Sequence, residues 1–341
     1  MSMTMPEPRI QPLRDAPVLR WGILAPGGIA TSFATALRAH TDQRIVAVGS
    51  RSAERSATFA ERFGVDRSYA SYEAVVQDPE VDVVYIASPH SEHARQALLA
   101  IAAGKHVLVE KPLAPTAAEA EMVVAAARTA GVFAMEAMWT RYLPHIDVLR
   151  QLLENGAIGE PVLVSADFGG AFPVDPTSRA YAPELAGGGL LDVGVYASSF
   201  VSMVAGTPRW VAVTGALTHT GVDGVATIVG RHAGGVQSIA TSTIWSETAQ
   251  AASVSGREGR IDAVGPFWKP GGVALTRGDD RAEWLDRSGI GGGDGLAYEA
   301  VALARYIAEG RTESPLHSLD ETVAIIRTLD DARRTLGVTG V

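Results

Sequence analysis

Trp21-Gly22-Ile23-Leu24-Ala25-Pro26-Gly27-Gly28-Ile29-Ala30 is the stretch that decides the fold. The apolar run Leu19 to Ala25 reads as a strand and the alanine-rich run Ile29 to His40 as a helix, with a glycine turn between. In such a turn a helix N-terminus can hold a dinucleotide pyrophosphate, because free backbone N–H groups and the helix dipole both favour an anion. Aligned on G-x-G-x-x-G/A, the key positions are Ala25, Gly27 and Ala30, so alanine replaces the first glycine. Alanine is comfortable there only if φ stays negative. Ala25, Gly27, Gly28, Ile29 and Ala30 are the expected phosphate loop; the plainer reading is an ordinary glycine turn.

The pattern continues on the C-terminal side. Arg44 to Ser50 reads as a second strand, followed by a helix that Ser52 caps and Gly64 ends. Val81 to Ala87 is a third strand, and a helix from about Ser91 to Ala103 leads through Gly104 to the strand His106 to Glu110. Thr116 and Glu119 form a capping box for a helix ending near Gly131, and Val132 to Ala137 is one more strand. Strands separated by helices predict an α/β fold, with a doubly wound parallel Rossmann sheet over residues 18–137.

The texture changes after Trp139. Beyond a helix from about Pro144 to Asn155, the segments Pro161 to Gly169, Trp210 to His219, Val225 to Arg231 and Val236 to Trp245 are rich in Val, Thr and Ile. They predict an α+β domain over 138–341 with a large, mostly antiparallel open sheet. Helices of about Gly295 to Glu309 and Leu319 to Leu336 close it. Residues 1–17, with Pro6, Pro8, Pro12 and Pro17, read as a flexible tail.

Composition narrows the chemistry. At 341 residues two domains are natural, and 47% hydrophobic with 20% charged residues is a soluble globular balance. A net charge of -9 argues against nucleic-acid and anionic-membrane partners. The absence of cysteine removes disulfides, thiolate nucleophiles, iron–sulfur clusters and cysteine zinc sites, so redox chemistry needs a bound cofactor. The longest uncharged stretch, Trp21 to Leu37, is broken by Pro26, Gly27 and Gly28 and makes a poor membrane span. A cytoplasmic location is expected.

Where an NAD enzyme offers an acid to the adenosine ribose, this chain has Gly49, Ser50 and Arg51. Ser50 can hydrogen-bond a 2′-phosphate and Arg51 can pair with it, so NADP(H) is expected over NAD(H); a solvated arginine is the bland alternative. Ser88, Pro89 and His90 follow a strand's carboxyl end, where ligands gather in parallel sheets. Glu110-Lys111-Pro112 closes another strand. Further on stand Gly187-Gly-Gly-Leu-Leu-Asp192-Val-Gly-Val-Tyr196, in which Asp192 and Tyr196 share a face if the segment opens a helix. Lysine and tyrosine both titrate near ~10 when unperturbed. If both point at one carbinol, Lys111 can lower the tyrosine's pKa, Tyr196 can exchange the proton and Asp192 can orient a hydroxyl. Singly, they read as a surface ion pair of Lys111 with Glu110, a helix cap and a core aromatic.

His90 and His93 could share a metal on one helix face, but no third ligand is evident. They are read as solvated or capping, with no metal expected. Tyr298, Glu299 and Arg305 read as packing and surface positions. The loops of about Gly170 to Ala186 and Arg287 to Asp294 are the expected substrate selectors.

The turn Ala25 to Ala30 and Val84 to His90, Glu110 to Pro112, Met135 to Tyr142, Ala166 to Gly169, Gly187 to Tyr196 and Ala252 to Gly256 together resemble the Gfo/Idh/MocA family (glucose-fructose oxidoreductase / inositol dehydrogenase). The likeness is greatest to its dimeric dihydrodiol dehydrogenase and NADP-dependent xylose dehydrogenase branch. The resemblance implies that Lys111 lies beside the nicotinamide, with Asp192 and Tyr196 facing it, and that the open sheet makes a homodimer. It also implies a substrate pocket with Trp139 and Phe168, whose other reading is core packing. Arg141 could reach substrate, cofactor or a neighbouring subunit. The expected activity is hydride transfer between NADP(H) and a carbinol or carbonyl of a sugar, polyol or trans-dihydrodiol. An NADP-binding sensor without turnover and an NAD-assisted glycosidase are the alternatives.

Overall fold

The opening strand and helix form as read: β1 (Arg20–Leu24) is followed by α1 (Gly28–His40). This is a computed structural model and describes residues 3–339; residues 1–2 of the expected tail and 340–341 of the expected second domain lie outside the described residues. The chain continues through β2 (Arg44–Gly49), α2 (Ala53–Phe63), β3 (Arg67–Tyr69), α3 (Tyr72–Gln77), β4 (Val83–Ile86), α4 (His93–Ala102), β5 (His106–Glu110), α5 (Ala117–Ala130) and β6 (Ala134–Ala137). The strands pair in the order β3-β2-β1-β4-β5-β6, all parallel. The order reverses between β1 and β4, the switch point at which such sheets bind ligands.

Local chemistry sets the helix ends. The Ser52 hydroxyl accepts from Arg55 N at 3.3 Å and the Thr116 hydroxyl from Glu119 N at 3.3 Å, while Gly64 and Gly131 take the left-handed cap conformation with φ of 65° and 64°. The short β3 and α3 lack the length to show in the sequence. Their packing explains Gly49: a Cβ there would lie 2.5 Å from Val75 Cγ2.

The unit containing this sheet comprises Gln11–Trp139 and Gly293–Val323, so it is larger than the expected 18–137. It takes back α8 (Leu296–Ala308), whose buried Leu296, Val301 and Leu303 pack in the same unit as α1. The first five residues of α9 (Leu319–Leu336) belong to it as well.

The second unit holds the chain through Ile10, Thr140–Gly292 and the chain from Ala324. It contains α6 (Pro144–Glu154), β7 (Pro161–Gly169), a π-helical turn (Leu190–Gly194) running into α7 (Val195–Ala205), β8 (Trp210–Leu217), β9 (Asp223–Arg231), β10 (Gln237–Thr243), β11 (Ala252–Gly256), β12 (Arg260–Val264), β13 (Gly272–Arg277) and β14 (Asp280–Leu285). Its strand order is β14-β13-β12-β11-β7-β10-β9-β8, antiparallel except for β7 with β10. One face is buried, with Val164, Ala166 and Phe168 of β7 turned to it. On the other, Leu163, Gln237, Arg231 and Trp210 form a cross-strand row, and the Arg231 guanidinium lies 4.4 Å over the Trp210 ring. Among the described residues, Pro183–Ala205 is long and apolar enough to cross a membrane by length and composition, but 72% of its most apolar window is buried inside the fold, as in a core helix.

The N-terminal segment differs from the expected flexible tail. Arg9 pairs with Asp147 at 2.8 Å and Glu154 at 2.9 Å, and Gln151 donates to Glu7 O at 2.8 Å. In the other unit, Gln43 and Arg305 donate to Pro17 O and Pro12 O at 2.8 and 2.9 Å. A proline-rich strip cannot join a ladder through its missing N–H groups, but its carbonyls still accept.

Ala25 overturns the expectation of negative φ. Its φ is 62°, fixed by Ala25 N donating to Gly49 O at 2.9 Å and Gly27 N donating to Ala25 O at 2.8 Å. The turn keeps its glycine geometry and the alanine bears the strain, roughly 1–2 kcal/mol for an L-residue. Ala25→Gly should raise stability by about 0.5–1 kcal/mol, since glycine's larger unfolded-state entropy offsets part of the relief. Urea unfolding checks this, and a destabilised variant would show the turn to be unstrained.

Candidate active site

In the unit with the parallel sheet, β1, β2, β4 and β5 end at one edge of the sheet. They carry the Ala25–Ala30 turn, Gly49–Arg51, Ser88–His90 and Glu110–Lys111 respectively. The α1 N-terminus has no side-chain cap and no acidic residue in its first turn. A Cβ on Gly28 would meet nothing within 4 Å, and one on Gly27 only Ala25 O at 3.9 Å. An uncapped, uncrowded set of N–H groups at a helix start fits a pyrophosphate. Ser50 is buried, and its hydroxyl accepts from Ser52 N at 3.1 Å, which leaves the hydroxyl proton to donate. Arg51 is exposed; its charge helps hold Glu92 below the usual carboxylate range, after the larger effect of the Arg95 bond.

Lys111 is half-buried beside a buried polar framework. Glu110 accepts from the Tyr85 hydroxyl at 2.5 Å and from Lys111 N at 3.3 Å, and Tyr85 stacks on Phe33 with centroids 4.0 Å apart. His93, expected to be solvated or capping, is fully buried instead. Its Nδ1 lies 2.7 Å from Pro112 O and its Nε2 2.8 Å from Ser88 O, so the ring bridges the loops after β4 and β5. Burial pushes its pKa below the usual histidine value. His90 is buried too, with its ring 5.7 Å from that of His93. Trp139 is buried just after β6.

Glu299 departs most from expectation. Read as a packing or surface position, it is 0% exposed on α8, and neither carboxyl oxygen has a hydrogen-bond partner among the described residues. Burial first, then the charges of Glu110 and Glu136, push its pKa well above the usual value. Glu136, also buried, accepts from Leu113 N at 2.9 Å and the Thr322 hydroxyl at 3.2 Å.

In the second unit, α7 presents Tyr196 to two aromatic rings. Phe168, at the end of β7, lies 5.3 Å from Tyr196, and Trp268 lies 5.9 Å from Tyr196 and 4.8 Å from Phe168 by ring centroids. The Trp268 indole donates to Gln250 Oε1 at 2.9 Å. Asp192 is buried in the π-helical turn and accepts from Arg179 at 2.8 Å. The expected helix is therefore present, with its first turn π rather than α, a form that often marks functional positions. Arg141, given three possible destinations by sequence, is 2% exposed and donates to Ser199 Oγ and Ser199 O, both at 2.8 Å, so it braces α7.

Residues 19–138 match the family model described as an oxidoreductase family with an NAD-binding Rossmann fold, and residues 146–262 match the GFO/IDH/MocA C-terminal domain. The chain belongs to the Gfo/Idh/MocA family. It is 37% identical over 331 residues to trans-1,2-dihydrobenzene-1,2-diol dehydrogenase of Sus scrofa, covering 94% of this chain and 98% of the relative. A 3-ketoreductase from Actinomadura kijaniata, KijD10, solved with NADP and TDP-benzene, superposes with a TM-score of 0.81 at 26% identity, over 93% of this chain and 97% of that one. Aldose-aldose oxidoreductase from Caulobacter crescentus, complexed with glycerol, shares the fold with a TM-score of 0.84 at 24% identity, over 93% and 97% of the two chains. The protein is thus an NAD(P)-dependent dehydrogenase.

Two neighbours of the expected site residues in this Gfo/Idh/MocA chain escaped sequence reading. Trp268 stands in a stretch broken by Pro266 and Pro270, without strand or helix period. Arg179 lies in the 170–186 loop, and its contact with Asp192 comes from the fold rather than from any local pattern. For Glu299, the folded pKa is raised, so the folded state holds its proton after the unfolded chain has lost it. Stability from this group is present at low pH and declines as pH rises above about 4.3. Glu299→Gln should therefore be more stable than wild type at pH 8, and the gap should shrink toward pH 5. Chemical denaturation at both pH values checks this; a pH-independent gap would mean the carboxyl titrates normally.

Proposed function

We propose that this dehydrogenase moves hydride between NADP(H) and a carbinol or carbonyl of a sugar, polyol or trans-dihydrodiol, with Tyr196 as general acid/base assisted by Lys111 and Asp192. The observation that carries the reading is the Tyr196 phenol set against Phe168 and Trp268, in a chain 37% identical to a dihydrodiol dehydrogenase. When bound, the nicotinamide supplies the hydride acceptor or donor. In the oxidative direction the carbinol carbon gives up hydride while its O–H proton passes to the Tyr196 phenolate, leaving the phenol; in reduction the phenol returns that proton to the carbonyl oxygen as hydride arrives. A phenol needs a cation nearby to handle that proton near neutral pH, and the Lys111 ammonium takes this role while holding the reacting oxygen. Asp192 accepts a substrate hydroxyl in competition with Arg179. Phe168, Trp268 and Trp139 offer apolar ring faces to a sugar or diol ring.

For the cofactor, Ala25, Gly27, Gly28, Ile29 and Ala30 take the pyrophosphate, Ser50 and Arg51 the 2′-phosphate, and Ser88, Pro89, His90 and Glu110 the nicotinamide side. The absence of a carboxylate at positions 49–51 supports NADP, as does the NADP-bound Actinomadura relative. The outer face of the large sheet, with Leu163 36%, Ile239 40% and Trp210 46% exposed, supports a homodimer through that face. Cysteine-free composition is compatible with the cytoplasm.

Following nicotinamide absorbance across aldoses, polyols, diols and dicarbonyls tests the activity. Net NADP reduction or NADPH oxidation is expected; glycoside cleavage without net cofactor change, or binding alone, would replace the reading. Lys111→Ala and Tyr196→Phe should each lower turnover by roughly 10²–10⁴-fold with NADPH affinity nearly unchanged. Wild-type turnover in both would overturn the assignment, and tighter NADH than NADPH binding would overturn the cofactor choice. Light scattering should give twice the 35.7 kDa chain mass, and Ile239→Arg should halve it; a monomeric wild type would remove the dimer.

A further inference from the structure

Asp223 opens β9 and is 0% exposed. Its Oδ2 accepts from Leu190 N at 2.6 Å, and Gly189 N also bonds the carboxyl. Oδ1 has no hydrogen-bond partner among the described residues and lies against Gly188, where an added Cβ would come within 2.3 Å of it. Gly188 has φ of 112°, so this backbone admits a side chain neither by space nor by conformation. The carboxyl thus occupies the volume that side chains at the glycine run would fill, and it pins the start of the π-helical turn to the sheet. Asp192 lies two residues beyond Leu190, and Tyr196 one turn further.

We propose that Asp223 is the positioning residue for the turn that carries Asp192 and Tyr196. The role rests on the catalytic assignment given under Proposed function, and it adds a second control on the site. Burial pushes the Asp223 pKa up to about 7, against the opposing bond from Leu190 N and the charge of Arg333 on α9. Arg333 lies 3.4 Å from Asp330, and Asp192, paired with Arg179, is the next carboxylate along the turn. Ionised, the Asp223 carboxylate accepts from the backbone at full strength; protonated, it accepts weakly. The turn is therefore held more firmly above neutrality than below it.

Hydrogen–deuterium exchange of the 188–200 segment, corrected for intrinsic rates, reads this at pH 6 and pH 8, with kcat, KM and NADPH affinity measured alongside. In wild type, protection should rise severalfold between the two pH values. Asp223→Asn keeps an acceptor for Leu190 N and should show protection independent of pH. Asp223→Ala should lose roughly tenfold in protection at both pH values, and kcat should fall on the order of tenfold to a hundredfold with NADPH affinity within about twofold. Wild-type protection in Asp223→Ala, or a retained pH response in Asp223→Asn, would overturn the proposal. If Asp223→Ala does not fold, the Asp223→Asn comparison decides. If wild type turns over nothing in the substrate panel, the catalytic reading fails while exchange still decides whether Asp223 holds the turn.

Discussion

A parallel sheet sends every strand's carboxyl end to the same edge, and the nucleotide-binding unit is organised by that constraint. β1, β2, β4 and β5 are four to six residues long, and few of their own side chains are polar. Each instead delivers one loop to the shared edge, and parallel register fixes the spacing between loops. His93 adds a cross-tie between the loops after β4 and β5. Directional contacts from a fully buried ring hold loop backbone more closely than apolar packing alone.

The buried carboxyls are treated differently from one another. Glu110 and Glu136 are satisfied by hydroxyls and backbone N–H groups, so they can be buried at little net cost. Glu299 is given no such partner, and the inexpensive state for it is neutral. In the other unit Asp223 lies between these cases, with one oxygen engaged by backbone and one facing glycine. Helix α7 is held from both ends of its sequence neighbourhood, by Asp223 ahead of it and by Arg141 at Ser199. Tyr196 thus sits on an element with little freedom to drift.

What the sequence disclosed was whatever local chemistry dictates. The strand His106–Glu110 and the helix Leu319–Leu336 lie where hydrophobic period and breakers put them, and Ser52, Thr116, Gly64 and Gly131 act as caps. β12, β13 and β14 did not show: each is only five or six residues long, and the Gly265, Pro266, Pro270 and Gly271 connection between β12 and β13 reads as loop. Of the expected site residues, Phe168 and Tyr196 are brought into ring contact. Glu299 and Asp223 were opaque for a different reason: a buried carboxyl is identified by what surrounds it, and those surroundings come from distant parts of the chain. Ala25 failed in an instructive way, since the turn's hydrogen bonds outweigh the residue's own backbone preference.

The return of residues 293–323 to the nucleotide-binding unit bears on how the protein can be made. α8 shares its unit with α1, and Ala134 N donates to Thr312 O at 3.1 Å, so the outer edge of β6, which pairs with β5 on its other side, is bonded by a residue well over a hundred positions further along the chain. During synthesis the ribosome must emit the whole intervening sheet before this unit can close. Vectorial folding, in which an N-terminal domain finishes before the next emerges, is therefore unavailable to it. A fragment ending near residue 139 would bare the apolar bed of α8 and leave β6 without that bond, so no single cut yields a free-standing nucleotide-binding domain.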